Sequence, residues 1–516
     1  MAQPMHDSNI KESATLIPAS HSIKQDRTKR IIWEIVAQSS HSSLPSYANP
    51  YSSLGSNPPP IKTHPQGAKL HSVISTNILQ ASIDFLKRRT MRNGEAHFSV
   101  GLMLLLLCFI VGTSTASDHD IDTQQRWRQA MMINRVASSL VFPLHGNVYP
   151  AGYYNVTLNI GQPAKPYFLD VDTGSDLTWL QCDAPCQHCT EAPHPLYQPS
   201  NKLVSCKDPL CASLQQPGGR NCQDADQCDY EVEYADCGSS LGVLVKDVFL
   251  LNFTNGQRLN PLLALGCGYD QLPGRSNHPL DGILGLGKGI SSLPSQLSRQ
   301  GLVSNVVGHC LSARGGGFLV FGDDLYDSSR LTWTPMSRDH VKHYSPGPAE
   351  LMFDGKSTGI RNLHVVFDSG SSYTYLNSQA YQHLVNLLKK EVSKTPLTEA
   401  LDDETLPLCW KGKKAFRSIG EVNKYFKTFM LSFKKRSWRA SKIQYEFFPQ
   451  NYLIISSKGN ACLGVLNGTE VGLRDVNVIG DVSMVERLVV YNNEKQMIGW
   501  ASANCDRLPQ SKSSII

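Results

Sequence analysis

The chain carries little excess of either charge: 49 Lys and Arg against 44 Asp and Glu leave +5 over 516 residues. That field is too weak for an obligate nucleic-acid binder. Its 16 histidines form no HExxH motif and no i, i+4 pair, which removes a common zinc-hydrolase signature. SARGGGFLVFG is not followed by a phosphate-binding Lys-Ser/Thr, so its glycines read as a loop entering a strand. Beyond residue 112 no apolar run reaches membrane length, and the ending SKSSII carries neither a lipid-anchor tail nor a retention tetrapeptide. At 41% hydrophobic residues the chain can still bury a sizeable core.

One apolar run does stand out. FSVGLMLLLLCFIVG, residues 98–112, is bounded by the small residues of TSTAS and is too short for a confident span. We read residues 91–116 as a signal peptide opening at Met91-Arg92. Residues 1–90, rich in Ser, Pro, His and Asn, then read as a disordered extension or an upstream artefact of the gene model. If translation begins at Met1, the run becomes an internal signal anchor and tethers the protein. Residues 117–140 read as a short propeptide or linker. The expected address is the secretory pathway, extracellular or vacuolar, with no stable membrane association unless the signal segment is retained.

Fourteen cysteines fit that address, eight of them crowded between Cys182 and Cys237. Such crowding suggests a disulfide framework in an oxidising compartment. The rival reading makes Cys182, Cys186, His188 and Cys189 zinc ligands; the secretory features favour disulfides, and no metal or cofactor is expected. Cys108 leaves with the signal, so an odd number remains. Asn155, Asn252 and Asn467 each open a glycosylation sequon.

An internal repeat organises the rest. YFLDVDTGSDLTWL (167–180) and HVVFDSGSSYTYL (364–376) both run from apolar residues into Asp, a small hydroxyl residue, Gly and Ser. DGILGLG (281–287) and VNVIGD (476–481) each set apolar residues before a glycine, where a backbone must pass closely. Segments such as YYNVTLNIG, YEVEYAD, LGVLVKDVFL, GFLVFGD, LTWTPM, NYLIIS and RLVVYN read as strands. SLPSQLSRQG and AYQHLVNLLKKEV read as short helices. The expectation is an all-β, bilobal protein with a few short helices.

A single Asp-Thr-Gly-Ser is ordinary turn chemistry; two copies at matching points of two strand-rich halves are not. If the halves meet about a pseudo-twofold axis, Asp172 and Asp368 converge, and like charges that close hold one proton between them. Gly174 and Gly370 would permit the tight loops, Ser175 and Ser371 would bond the outer carboxylate oxygens, and Thr173 and Ser369 would tie the loops together.

On these motifs, and on GNVYPAGYYNVTLNIGQPAKPYFLDVDTGSDLTWLQCDAPC and PHPLYQP, the chain resembles the pepsin-like aspartic proteases over residues 140–508, and within them the plant nucellin-like, nepenthesin-type branch. The resemblance implies a pepsin-like fold with an N-terminal lobe over 141–335, a C-terminal lobe over 336–508 and a tail over 509–516. It implies a monomeric endopeptidase acting on polypeptides bound extended between the lobes, with Asp172 and Asp368 as the catalytic dyad. Tyr234 matches the flap tyrosine and Trp179 the tryptophan that supports it. Twelve cysteines fit the branch's disulfide set: Cys182, Cys186, Cys189, Cys206, Cys211, Cys222, Cys228, Cys267, Cys310, Cys409, Cys462 and Cys505. Cys409 with Cys462 is the expected bridge inside the second lobe. Cys237 is left over in the flap, where the plain reading is a tolerated surface substitution and the other is an oxidisable thiol.

No segment after Asp368 resembles a saposin-like insert. The basic runs KGKK (411–414) and KKRSWR (434–439) read as solvated loops rather than a polyanion site. A catalytically silent binding or inhibitor protein on the same scaffold is the alternative; such relatives lose an aspartate or its glycine, and both motifs are whole here.

Overall fold

The computed structural model describes residues 139–214, 227–274, 278–338, 342–433 and 443–509. The readings of residues 1–138, Cys222 and KKRSWR lie outside them. Alternation sets the first strands: in Lys165–Asp172, Tyr167, Leu169 and Val171 are buried on the core face, while Phe168, Asp170 and Asp172 point to the other. Strand Tyr153–Ile160 does the same, burying Tyr154, Val156, Leu158 and Ile160. The two pair antiparallel, with Asn155 opposite Asp170.

The repeat read from sequence is a repeat of topology. Lys165–Asp172 lies parallel to Gly282–Gly285, which runs antiparallel to Trp179–Gln181, itself parallel to Leu262–Leu272. Leu363–Phe367 lies parallel to Val476–Ile479, which runs antiparallel to Thr374–Leu376, itself parallel to Val465–Asn467. In each half a strand ending at an aspartate is thus gripped beside a strand ending at a glycine. The backbone does pass closely there: a Cβ on Gly480 would stand 2.0 Å from the Tyr373 carbonyl oxygen.

These strands belong to two large sheets, one of 13 strands and one of 8. The larger also recruits the closing strands of the chain, since Arg487–Asn492 pairs with Val306–Leu311 and Met497–Ser502 pairs with Arg487–Asn492. The two expected helices form. Ser378–Val392 buries Ala380, Leu384, Leu388 and Val392, one face at a spacing of four, and Asn377 caps it through the Ala380 amide at 3.0 Å. Leu293–Arg299 has Pro294 in its first turn. Two short helices, Pro209–Leu214 and Asp481–Met484, carry no periodicity long enough to read.

Five bridges join Cys182 to Cys267, Cys186 to Cys189, Cys211 to Cys228, Cys310 to Cys505 and Cys409 to Cys462. Cys206 is also disulfide-bonded. The zinc reading is thereby corrected: its three thiolates are consumed in bridges, and the His188 ring turns to Asp270 at 3.0 Å. Asp403 lies with Cys409 and Cys462, but that thiol pair is bonded as well. Cys237 is free and exposed. Asn252 is exposed, whereas Asn155 and Asn467 are each only 7% exposed, leaving their amides little room for a glycan in the folded chain. Lys411 of the first basic run pairs with Asp402. Among the described residues no helix is long and apolar enough to cross a membrane.

Candidate active site

Both aspartates sit where a strand stops. Asp172 closes Lys165–Asp172, and Asp368 follows Leu363–Phe367. Each loop then folds back on its own carboxylate. The Gly174 amide donates to Asp172 Oδ1 at 2.7 Å and the Gly370 amide to Asp368 Oδ1 at 3.0 Å. The Ser175 hydroxyl bonds Asp172 Oδ2, and the Ser371 hydroxyl donates to Asp368 Oδ2 at 2.8 Å.

The loops also lock to one another. The Thr173 amide donates to Ser369 Oγ at 3.2 Å, and the Ser369 amide donates to Thr173 Oγ1 at 3.0 Å. Each hydroxyl reaches on to a carbonyl beyond its partner loop: Ser369 Oγ to Val171 O at 2.6 Å, Thr173 Oγ1 to Phe367 O at 3.5 Å. Both residues are almost fully buried. This reciprocal arrangement brings the two carboxylates together. A Cβ built on Gly174 would lie 2.5 Å from Asp368 Oδ1 and 3.1 Å from Asp172 Oδ1; one on Gly370 would lie 2.7 Å from Asp172 Oδ1 and 3.3 Å from Asp368 Oδ1. Neither glycine has a positive φ. The motif requires glycine because of the approaching carboxylates, not for the left-handed turn that its composition suggests.

Burial, and after it the charge of Asp368, pushes the Asp172 carboxyl well above the usual carboxylate range. The pair therefore keeps a proton where isolated aspartates have lost theirs. Two further buried carboxyls, absent from the sequence reading, share this neighbourhood. Asp170 is raised chiefly by burial, and its Oδ2 faces His278 Nδ1 at 3.4 Å. Asp481 is raised well above its usual range by burial and by the charges of Asp170, Asp368 and Asp172. Asp170 Oδ1 and Asp481 Oδ1 are buried with no hydrogen-bond partner among the described residues. The available signal was an acid at position 170 inside an apolar strand.

Over the first loop stands an antiparallel hairpin, Asp229–Glu233 with Ser239–Val248. Its turn is closed by the Tyr234 amide donating to Gly238 O at 2.8 Å and the Cys237 amide donating to Tyr234 O at 3.1 Å. Cys237 itself adopts φ +72°. Trp179 Nε1 donates to Tyr234 Oη at 2.7 Å. The phenol lies near Ser175, and burial followed by the Asp172 charge raises it well above its ordinary value. Thus Tyr234, Trp179, Ser175 and Asp172 form one connected group. His343, also missed in the sequence, places Nδ1 3.1 Å from the Gly174 carbonyl.

Comparison with known proteins identifies the family. Two family models match, described as xylanase inhibitor N-terminal over residues 154–323 and xylanase inhibitor C-terminal over 349–502. An aspartic proteinase of Oryza sativa subsp. japonica is 46% identical over 395 residues, covering 73% of this chain and 94% of the relative. Aspartic proteinase nepenthesin-1 of Nepenthes gracilis is 26% identical over 376 residues, covering 69% and 78%. Among solved structures, an aspartic proteinase from Irpex lacteus superposes with a TM-score of 0.50 at 16% identity, covering 71% of this chain and 98% of its own, a likeness of fold. The chain is an aspartic-type endopeptidase and belongs to the plant pepsin-like aspartic protease family.

Proposed function

We propose that Asp172 and Asp368 act as one acid–base unit that hydrolyses peptide bonds below neutral pH. The observation that carries this reading is the reciprocal Thr173–Ser369 lock, which holds both inner carboxylate oxygens against one point. A water held there gives a proton to the ionised carboxylate while its oxygen attacks the peptide carbonyl carbon. The protonated carboxyl gives its proton to the carbonyl oxygen, forming a gem-diol. The carboxyl that took the water's proton passes it to the amide nitrogen; the C–N bond breaks, one gem-diol hydroxyl returns its proton, and amine and acid leave with the dyad singly protonated. Activity falls as pH rises through the upper titration of the pair, when no proton remains to donate.

Both aspartates come from one chain, so a monomer suffices. The hairpin carrying Tyr234 suits a polypeptide lying extended beneath it. The disulfide set supports a secretory address, and the names of the curated relatives favour turnover over a silent scaffold. Digestion of a denatured protein between pH 3 and 7, with a statine-type analogue as control, tests the reading. Cleavage on the acid side that the analogue blocks is expected; cleavage indifferent to it overturns the dyad.

Tyr234→Phe removes the acceptor of the Trp179 bond. It is expected to lower kcat/KM by about 2- to 10-fold, the worth of one net hydrogen bond. Trp179→Phe should cost as much, and the double variant little more. Additive losses would show that the two side chains act independently.

A further inference from the structure

The internal repeat makes the two halves comparable position by position, and one acid near the dyad is not required by it. Two residues before each dyad aspartate stand Asp170 in the first half and Val366 in the second. Both are buried. A valine satisfies the fold at this position, so a carboxyl, which is costly to bury, calls for another reason.

Alternation along Lys165–Asp172 puts Asp170 on the face of Asp172, ~7 Å away at ~3.3 Å per residue. Its Oδ2 meets His278 Nδ1 at 3.4 Å, and its Oδ1 is buried with no hydrogen-bond partner among the described residues. The ring is itself fixed. It packs on Tyr153 with centroids 4.7 Å apart, and its Nε2 would lie 3.7 Å from a Cβ on Gly152, whose carbonyl accepts from the Ser372 hydroxyl beside the second loop.

The titratable groups around Asp170 are Asp172 on its own strand, Asp368 on the second loop, Asp481 at the start of the short helix Asp481–Met484, and His278. The flanking strands set only neutral residues opposite it, Asn155 and Ile283. Tyr234, Tyr375 and Tyr491 face the dyad as phenols whose ionisation burial resists, and His343 meets the first loop at the Gly174 carbonyl. Among the described residues His278 is the one base in ion-pair contact with any of the four carboxyls.

We propose that Asp170 and His278 are a positioning pair for the dyad's shared proton: His278 keeps Asp170 ionised, and that buried charge makes Asp172 and Asp368 hold their proton to higher pH than they would alone. The imidazole side chain is 20% exposed and its charge is screened by water, while the buried carboxylate acts on the dyad through protein. Burial raises Asp170 less far than Asp172, and His278 opposes that rise. Asp170 is therefore already ionised when the dyad's last proton comes under titration. A unit charge at ~7 Å, at an effective dielectric of about 20, moves a neighbour's titration by about one to two pH units. The inference rests on the endopeptidase reading and widens that activity toward neutrality.

The test is the pH profile of kcat/KM between pH 3 and 8 on one peptide. Calorimetric binding of a statine-type analogue at the same pH values gives a readout free of turnover. Asp170→Asn keeps the shape of the side chain and an oxygen for the His278 N–H. Its upper limb is expected to fall at a pH lower by ~0.5 unit or more, and the analogue's affinity to weaken correspondingly earlier. His278→Gln leaves Asp170 without its base, so the buried carboxyl takes up a proton and the limb moves the same way. The double variant should move no further than Asp170→Asn alone, because one charge is lost in all three. A limb that stays in place in Asp170→Asn, one that moves upward in His278→Gln, or shifts that add in the double variant each overturn the pair. A packing defect would lower the whole profile without displacing its limb, and that result counts against the pair too. Acid cleavage by the unaltered protein with an unmoved limb in the variants rejects the pair and leaves the protease reading standing; no acid cleavage by the unaltered protein and no binding of the analogue reject both.

Discussion

Asp172→Asn and Asp368→Asn are each expected to yield folded protein that cleaves peptides at least ~10⁴-fold more slowly, read as kcat/KM at acid pH. The magnitude follows from the pair acting as a unit: without one carboxyl, no group remains both to receive the water's proton and to supply one to the carbonyl. The double variant should be no worse than either single one. Stability should not suffer, because replacing one of two crowded buried carboxyls relieves repulsion, Asn keeps an oxygen for the glycine amide, and its NH2 can donate to the hydroxyl oxygen of Ser175 or Ser371. A residual rate near that of the unaltered protein in either variant would refute the assignment.

Thermal melting should show a fold more stable near pH 4 than at neutrality. Burial raises Asp170, Asp172, Asp176 and Asp481, the second and last of them well above the usual range. Each binds its proton more tightly folded than unfolded. From an unfolded value of about 3.9 upward, folding must therefore take up protons, and stability declines as pH rises until the folded groups ionise too. His309 opposes this, because burial pushes its imidazole down to about 3 and makes folding easier as pH rises toward ~6.5. Above about pH 4 it is one group against four, because the carboxyls held below their usual range, Asp208 and Asp403 among them, are by then ionised folded and unfolded alike, and above ~6.5 it no longer contributes. Asp481→Asn should raise the melting temperature at pH 8 by ~2 °C or more and leave it unchanged at pH 4, since each tenfold difference in proton affinity between folded and unfolded chain is worth ~1.4 kcal/mol. Asp481 Oδ1 makes no hydrogen bond that Asn would break. A melting temperature climbing steadily from pH 5 to 8 would contradict this account.

The dyad was legible because its chemistry is local. Asp, a hydroxyl residue, Gly and Ser sit within four positions, and duplication made chance unattractive. Tyr234 and Trp179 came from the family resemblance, and the 2.7 Å bond between them gives that match a physical form. Asp170 and Asp481 were not legible. One sits in a run that reads as apolar, the other closes a phrase whose glycine drew attention, and both acquire meaning from carboxylates distant in sequence. The same applies to Cys182 with Cys267, a separation of 85 positions, and to Asn155, which spacing marks as a sugar acceptor and folding buries. Motifs report chemistry held by neighbours; burial and long-range pairing require the fold.

The closing strands carry a consequence for biosynthesis. Val306–Leu311 finds its outer neighbour in Arg487–Asn492, so a nascent chain that has already left the ribosome with Asp172 in place still exposes an unpaired edge there. That edge stays open until the strand Arg487–Asn492 has been made. The half translated first is thus completed only once residues 487–492 emerge, and a factor that guards its open edge is needed until then.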